Sequence, residues 1–394
     1  MNDHEPVIVG ALRTPVGKRG GRLQKWHPVD LMAETLRQLV EQSGVNPSDL
    51  DDVIVGCVLQ WDQQHGNLAR HAVLAAGLPE SVPAVTVDRQ CGSGQQAVSF
   101  AVHGIQAGAY QLAIGGGGVE SMSQAPLPPS FKPGAPLGAQ YSPRELARYQ
   151  DNPLIPQGVS SELLNSRFGL TREVLDASAV RSHKRAAEAI QAGRIKDQLV
   201  HLTEDPADPN SPVVAADEGV RANPDPEKLA TLKAVFAANG TTTAGNSSQI
   251  SDGAAALLIA SRAYAKKHGL KPRARFVSTA VAAADPVIQF TAVLDSTRKA
   301  LKESGLTIND IDLFEVNEAF GGVPLMFQQE FGIPDDRLNV NGGSMAIGHP
   351  LGSTGARMLT DLLYELERRG GRYGLQTICE ASGTANTTII ERLA

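Results

Sequence analysis

The chain has 394 residues, with 36 basic and 42 acidic side chains giving a formal net charge of −6, and it is 42% apolar and 20% charged. That length allows two or three domains with ample core, and the composition excludes a disordered polypeptide. The mild acidic excess argues against nucleic acid as the main partner, and no apolar run approaches the ~20 residues that cross a bilayer. The start, Met1 to Pro6, is acidic and meets an apolar run at Val7, so it reads neither as a secretory signal nor as a transit peptide. Three cysteines, Cys57, Cys91 and Cys379, make no disulfide framework and point to a reducing, cytoplasmic compartment. Thirty-nine glycines cluster at 115–118, 342–343 and 348–355, where the backbone is expected to turn sharply or approach something closely.

In chain order, the first predicted unit is an amphipathic helix that runs into Ser43-Gly44-Val45. A short loop (Asp49-Leu50-Asp51) and the strand Val53-Ile54-Val55 follow, and Cys57 in the same run reads as core packing. The strand Val85-Thr86-Val87 then leads into Cys91-Gly92-Ser93-Gly94 and a helix over Ala97 to Ala107. Another strand, Gln111 to Ile114, precedes the four glycines. Residues 122–248 differ in kind. They open with Pro126, Pro128, Pro129, Pro133 and Pro136 and carry a basic helical section with Arg181, Lys184, Arg185, Arg194 and Lys196, read as a solvated helix face.

The order of elements then recurs. Ser304-Gly305-Leu306, Asp310-Ile311-Asp312 and Phe314-Glu315-Val316 repeat the first unit at a constant shift of 261 residues, Ser43 to Ser304. Asn339-Val340-Asn341 leads through glycines into Gly352-Ser353-Thr354-Gly355 and a helix over Ala356 to Leu366, matching the approach to Cys91. Leu375 to Ile378 then gives the last strand, ending in Cys379 at the level of Gly115. The expected fold class is α/β: two related halves, each with a central sheet and covering helices.

Four residues stand where chemistry is expected. Cys91 lies at the start of a glycine-punctuated helix, whose N-terminal partial charge favours thiolate; the alternative is a buried, inert cysteine. His349 is bracketed in Gly348-His349-Pro350, which fixes it in a loop, as a base or as a structural histidine. Cys379 ends a strand, where open α/β sheets place their sites. Asn317, in Asn317-Glu318-Ala319-Phe320, can donate to a carbonyl oxygen or simply cap the next helix. The glycines at 115–118 lack the spacing of a dinucleotide fingerprint.

Together these stretches resemble the thiolase family, the acetyl-CoA C-acyltransferases. The matching motifs are Cys91-Gly-Ser-Gly, Thr243-Ala-Gly-Asn246, Asp252-Gly-Ala-Ala, Asn317-Glu-Ala-Phe, Gly342-Gly to Gly348-His-Pro, and Cys379, and the resemblance runs from Arg13-Thr14-Pro15 to the last strand. It implies a five-layered α-β-α-β-α core with an inserted loop domain: residues 1–121 plus 249–273 as the N-terminal half, 122–248 as the CoA-binding loop domain, and 274–394 as the C-terminal half. By the same resemblance Cys91 takes the acyl group and His349 accepts its proton. Cys379 moves the α-carbon proton, and Asn317 positions a water that binds the enolate oxygen with His349. The N–H of Cys91 and one just after Cys379 would hold the tetrahedral intermediate. Arg221 would meet the nucleotide end of CoA and Ser248 the pantetheine. Coenzyme A is then a substrate, no metal or redox cofactor is needed, and a homodimer or homotetramer is expected.

Some positions depart from the family. Glu380-Ala381-Ser382-Gly383 replaces a glycine run after Cys379, adding a charge near the site. Gln157-Gly158 and Gln289-Phe290-Thr291-Ala292-Val293 stand where many acetoacetyl-CoA thiolases carry Met-Gly and Met-Gly-Thr-Gly-Pro beside the acyl pocket. Gln95-Gln96 and the ending Thr388 to Leu393 resemble thiolases of lipid and steroid side-chain degradation. Two other readings are a thiolase-like protein that binds acyl-CoA without turning it over, and a condensing enzyme acting on carrier-protein substrates. The intact four residues argue against the first, and the second active-site cysteine against the second.

Overall fold

The computed structural model describes residues 3–127 and 141–393, so Pro128, Pro129, Pro133 and Pro136 lie outside the described residues. The first half begins with β1 (Pro6–Arg13), the two-residue β2 (Gly17–Lys18), α1 (Pro28–Ser43), β3 (Asp52–Gly56), α2 (Leu68–Ala75), β4 (Ala84–Val87), α3 (Ser93–Gln106) and β5 (Leu112–Ser121). Loops and helices follow: α4 (Pro143–Arg148), α5 (Gln157–Arg167), α6 (Arg172–Gln191) and α7 (Pro226–Ala230). The chain then enters β6 (Ser251–Ser261) and α8 (Arg262–Lys267). The second half holds β7 (Ala274–Ala283), α9 (Ala292–Ser304), β8 (Leu313–Val316), α10 (Gly322–Phe331), α11 (Leu351–Arg369), β9 (Tyr373–Glu380) and β10 (Thr384–Arg392).

The repeat is a repeat of topology. The strand order is β4-β3-β5-β6-β1 followed by β7-β10-β9-β8, so each half runs through equivalent strands from the middle outward. The halves meet where Val7 and Ile8 of β1 pair with Arg275 and Ala274 of β7. Both first helices stop at a left-handed glycine, Gly44 at φ 67° and Gly305 at φ 71°, a conformation that a side chain would strain. One expected strand is missing. Asn339-Val340-Asn341 does not match β4: only Leu338 bridges Phe314, and Asn339 turns away at φ 46°.

Alternation along the strands explains the layers. Val53 and Val55 face one core with Leu31, Leu36 and Leu39 of α1 and Ala69 and Val73 of α2. Ile54, between them, faces a second core with Val98 and Val102 of α3, Leu359 and Leu363 of α11, and Leu313 and Ile390 of the other half-sheet. A third core packs Phe314, Leu375 and Ile389 against Val293 and Ala300 of α9 and Val323 and Phe327 of α10. The order is therefore helices, sheet, the α3–α11 pair, sheet, helices. Strand β6 is buried along its whole length. Its apolar run Ala254 to Ala260 is a strand wrapped on both faces, which is why it shows no polar alternation.

The central helices cross where they carry no side chains. A Cβ on Gly94 would lie 2.7 Å from the Gly352 carbonyl oxygen, and one on Gly355 would run into the backbone of Gln95. Gly352 in turn sits on the carbonyls of Gly56 and Val119, each 2.6 Å from where its Cβ would be. Gly94→Ala must therefore push α3 off α11. It is expected to cost about 2 kcal/mol or more, read as a lower Tm in calorimetry; an unchanged melt would refute this close approach.

The residues Gln95 and Gln96 lie in this interface as well. Gln95 donates to Thr388 Oγ1 at 2.8 Å, and Gln96 accepts from Asn386 at 3.2 Å. Both are buried and tie α3 to β10.

Among the described residues no helix is long and apolar enough to cross a membrane. The basic section is solvated only in part: Lys184 on α6 and Lys196 beyond it are exposed, while the arginines have partners. Arg181 and Arg185 pair with Asp335 at 3.1 and 2.8 Å, and Arg194 reaches Asn341 at 3.2 Å, tying the helix to the second half.

Candidate active site

The four chemical residues are delivered by two helix starts and two strand ends. Cys91 precedes Gly92, the N-cap of α3, and His349 precedes Pro350, the N-cap of α11. Asn317 follows β8, and Cys379 is the penultimate residue of β9. β9 is not the last strand, because β10 returns antiparallel beside it. Nor does Cys379 lie level with Gly115. Gly116 is an extra residue in the β3–β5 pairing, which runs Ile54 to Gly115 and then Val55 to Gly117. Val316, the repeat of Val55, pairs with Thr377, so the counterpart of Cys379 is Val119 and that of Glu380 is Glu120.

His349 is buried and its tautomer follows from its partners. Thr354 Oγ1 donates to the Pro350 carbonyl at 2.9 Å, so it accepts from Nδ1–H of His349 at 2.7 Å. That leaves Nε2 as the open lone pair. Burial, reinforced by Arg357, pushes the imidazole down to about 3, so it is neutral and available as a base. Asn317 Nδ2 lies 3.5 Å from this Nε2. Its amide is oriented from the other side, where Ser344 donates to Oδ1 at 2.6 Å. Asn317 is thus not a helix cap; α10 begins only at Gly322. Neither Thr354 nor Ser344 was expected, although both stand in the glycine-rich stretch that carries His349.

Cys91 is buried against Met358 and Ile378. Burial, then the neighbouring Glu380, pushes its thiol up to about 12, and the local backbone N–H only partly offsets this. The helix start alone therefore does not make Cys91 a thiolate. A base has to take its proton. Cys379 is fully buried, its thiol raised well above the usual range by burial and by Cys91, so the two sulfurs are close enough to feel one another's charge. Cys57 lies just beyond β3 rather than within it. It packs in the core with its S–H toward Glu120 Oε1 at 3.9 Å, and burial raises its thiol.

Two further residues hold the floor of the site. Glu120 accepts from the N–H groups of Val58, Leu59 and Gly352 and from Gln64 at 2.6–3.0 Å, anchoring the start of α11. Glu318 takes Ser182 Oγ at 2.7 Å, Asn339 at 3.1 Å and the Met345 N–H at 3.1 Å, locking the Asn317 segment to the glycine-rich loop. The segment 246–251 crosses between them. Ser248 N–H bonds the Ala319 carbonyl at 3.1 Å, and His349 N–H bonds that of Gln249 at 3.1 Å.

Ser248 is half-buried beside this crossing, while Arg221 is exposed, its backbone N–H donating to His183 Nδ1 at 3.1 Å. Its stretch is fixed through Asp217, which takes the buried Arg13 guanidinium at 2.7 and 3.0 Å. Arg13 also bonds Asp361 of α11 at 2.8 Å, so the loop is tied to the central helix that His349 precedes.

At the end of the Asn317 segment, Phe320 packs edge-on against Phe290 and Phe236, with centroids 5.5 and 6.0 Å away. Gly158 lies flush on Phe236, where a Cβ would not fit. Gln289, at φ 60°, donates to Ile155 O and Ser160 Oγ and accepts the Ser382 N–H at 3.1 Å. Of the N–H groups after Cys379, that of Ser382 is therefore already spent.

Among the described residues no group of three or more His, Cys, Asp or Glu side chains could hold a metal ion. The arrangement offers a buried nucleophile, a neutral base with an amide beside it, and a second thiol, which is the equipment for acyl transfer with proton movement at carbon.

Comparison with known proteins places the whole chain beside one family. The family "Thiolase, N-terminal domain" matches residues 6–263 and "Thiolase, C-terminal domain" residues 270–392. The chain is 46% identical over 393 residues to the steroid 3-ketoacyl-CoA thiolase FadA6 of Mycobacterium tuberculosis, covering 99% of this chain and 94% of that one. It is 38% identical to the 3-ketoacyl-CoA thiolase of Bacillus subtilis, covering 98% and 99%. The crystal structure of the Bacillus anthracis acetyl-CoA acetyltransferase superposes with a TM-score of 0.88 at 36% identity, covering 99% of both chains.

Proposed function

Because this chain belongs to the thiolase family, we propose that its buried thiol pair, histidine and asparagine carry out CoA-dependent cleavage of a 3-ketoacyl-CoA. The enzyme is an acyltransferase of the 3-ketoacyl-CoA thiolase kind. Two pairs support the residue assignment, the Asn317 amide 3.5 Å from the open Nε2 of His349 and the thiols of Cys91 and Cys379, with Cys91 packed against Leu351 two residues after His349.

The reaction follows from the geometry. His349 Nε2 takes the Cys91 proton as the sulfur attacks the 3-keto carbon, which overcomes the buried thiol's reluctance to ionise. Breaking the carbon–carbon bond leaves the enolate of acetyl-CoA, whose oxygen is met by donors at Asn317 and His349. Cys379 gives its proton to the α-carbon and acetyl-CoA departs. The proton held on His349 passes to the Cys379 thiolate, which restores both groups; a second CoA thiol, deprotonated at His349, then takes the acyl group, and the departing Cys91 thiolate recovers its proton from His349. Run backwards, the same steps make a carbon–carbon bond. No further cofactor enters, and both cysteines must stay reduced, which supports a reducing compartment such as the cytoplasm.

The region 122–248 is read as the CoA-holding loop domain between an N-terminal half (1–121 and 249–273) and a C-terminal half (274–394). Arg221 meets phosphate at the nucleotide end and Ser248 lies along the pantetheine. The exposed guanidinium supports the first assignment, and the half-buried hydroxyl beside the Asn317 segment supports the second.

The acyl group is read as bulkier than acetoacetyl. Gln157 and Gln289 stand where many acetoacetyl-CoA thiolases carry methionines, three phenylalanines lie nearby, and the similar FadA6 is named for steroid substrates. The test is thiolysis with CoA and either acetoacetyl-CoA or a long-chain or steroid-derived 3-ketoacyl-CoA, following loss of the ketothioester. Faster turnover of the bulky substrate is expected. Equal or greater rates with acetoacetyl-CoA would overturn the pocket reading, and no turnover of any substrate would overturn the catalytic one.

A homodimer, alone or paired into a tetramer, is supported by β4. It is the outer strand of its half-sheet, and Val85 on it and Phe100 on the neighbouring α3 stay 41% and 43% exposed. Val85→Lys is expected to weaken dimerisation at least about 100-fold, giving a monomer at micromolar concentration in size-exclusion chromatography with light scattering. A dimer that survives the change would exclude this edge.

A further inference from the structure

One group beside the nucleophile has no part in the steps above. Glu380 follows Cys379 at the end of β9 and is completely buried. Its side chain reaches back across the site, so that a methyl group on Gly92 would collide with its carboxyl. Thr384 Oγ1 donates to Oε2 at 2.6 Å, but Oε1 is buried with no hydrogen-bond partner among the described residues. A buried carboxylate oxygen left without a donor is costly, so the group is far better accommodated as a neutral acid.

The other charges around Cys91 are arranged differently. Glu120, from β5, is satisfied by four N–H donors. Asp88, in the loop before Cys91, is exposed and accepts the Gln90 N–H at 2.6 Å. Arg89, in the same loop, draws Glu380 toward ionisation, while Asp88 opposes it. After burial, Glu380 is the largest influence holding the Cys91 thiol protonated, and it acts on Cys379 in the same direction.

We propose that Glu380 is a positioning residue that gates the nucleophile: with its proton it lets Cys91 ionise, and as a carboxylate on Gly92 it holds Cys91 as the thiol. This rests on the reading of Cys91 as the nucleophile, but concerns its ionisation rather than its substrate. Burial lifts the carboxyl to about 8, against smaller opposing effects of Thr384 and Arg89, so the gate works just above neutrality. The sign is fixed by the charges. Below that range the carboxyl is neutral and does not oppose the thiolate; above it, the new negative charge does. The rise of Cys91 reactivity with pH should bend downward as Glu380 ionises, and the two groups titrate as a coupled pair.

The test needs no ketoacyl substrate. The whole enzyme is treated with iodoacetamide from pH 6 to pH 10, and alkylation of the Cys91 peptide is timed by mass spectrometry in wild type, Glu380→Gln and Thr384→Val. Glu380→Gln should match wild type at low pH and exceed it by roughly tenfold at high pH, since one unit of coupling is a factor of ten. Thr384→Val removes the donor to Oε2, which favours the neutral acid, so its bend should move to higher pH. Superimposable profiles for wild type and Glu380→Gln would overturn the proposal. Should Glu380→Gln fail to fold, an unmoved bend in folded Thr384→Val would overturn it. Thiolysis by wild type, measured separately, shows whether the enzymatic reading stands, so the two failures remain distinct.

Discussion

Replacing Cys91 by alanine is expected to lower kcat/KM for thiolysis by about 10,000-fold or more, because it removes the one atom that carries the acyl group. Little of the fold is at stake: Cys91 is a small side chain among Met358, Ile378 and Leu351, and a shorter one leaves the backbone in place. The circular dichroism spectrum and Tm should stay close to wild type. In wild type, brief exposure to acetyl-CoA should add an acetyl group to the Cys91 peptide, detectable by mass spectrometry, and Cys91→Ala should add none. Retention of substantial thiolysis by this variant would remove Cys91 from the mechanism.

Cys379→Ala should separate two kinds of chemistry that Cys91→Ala abolishes together. Cleaving the carbon–carbon bond leaves a carbanion that must be protonated, so thiolysis should fall by about 1,000-fold or more. Moving an acetyl group between CoA and Cys91 breaks only a thioester and needs no proton at carbon. Acetyl exchange between acetyl-CoA and labelled CoA should therefore survive within about tenfold of wild type. The buried Cys379 thiol, held protonated by its surroundings and by Cys91, is suited to giving a proton rather than to attacking. Loss of both activities in equal measure would mean that Cys379 supports the site mechanically. Loss of neither would assign the proton to another group.

Much of the site was legible along the chain because its residues occupy positions with strong local grammar. His349 is fixed by a glycine at φ 119° before it and a proline after it, and Asn317 by the end of a four-residue buried strand. The repeat was visible because amphipathic helix, glycine stop and strand recur with the same spacing. Other features depended on contacts that the spacing does not encode. The bulge at Gly116 moved the counterpart of Cys379 from Gly115 to Val119. The helix start suggested a thiolate at Cys91, yet desolvation decides against one in the resting state, and Glu380, from the other half of the molecule, adds to this once it ionises. Arg181 and Arg185 looked like solvated charges until Asp335, from the second half, came to lie beside them.

By itself the sequence determined the two α/β halves, the residue types at their strand and helix ends, and the membership of those motifs in one family. Periodicity, glycine stops and residue chemistry are local properties, carried by a few consecutive positions. Only the tertiary structure decided which of these groups share a dry space. It set Thr354 and Ser344 to orient His349 and Asn317, left Glu380 Oε1 without a partner among the described residues, and brought Glu380 over the one glycine next to Cys91. Ionisation, tautomer and orientation follow from burial and from the nearest charges. In this molecule those are supplied across the α3–α11 crossing, by residues far apart in the chain.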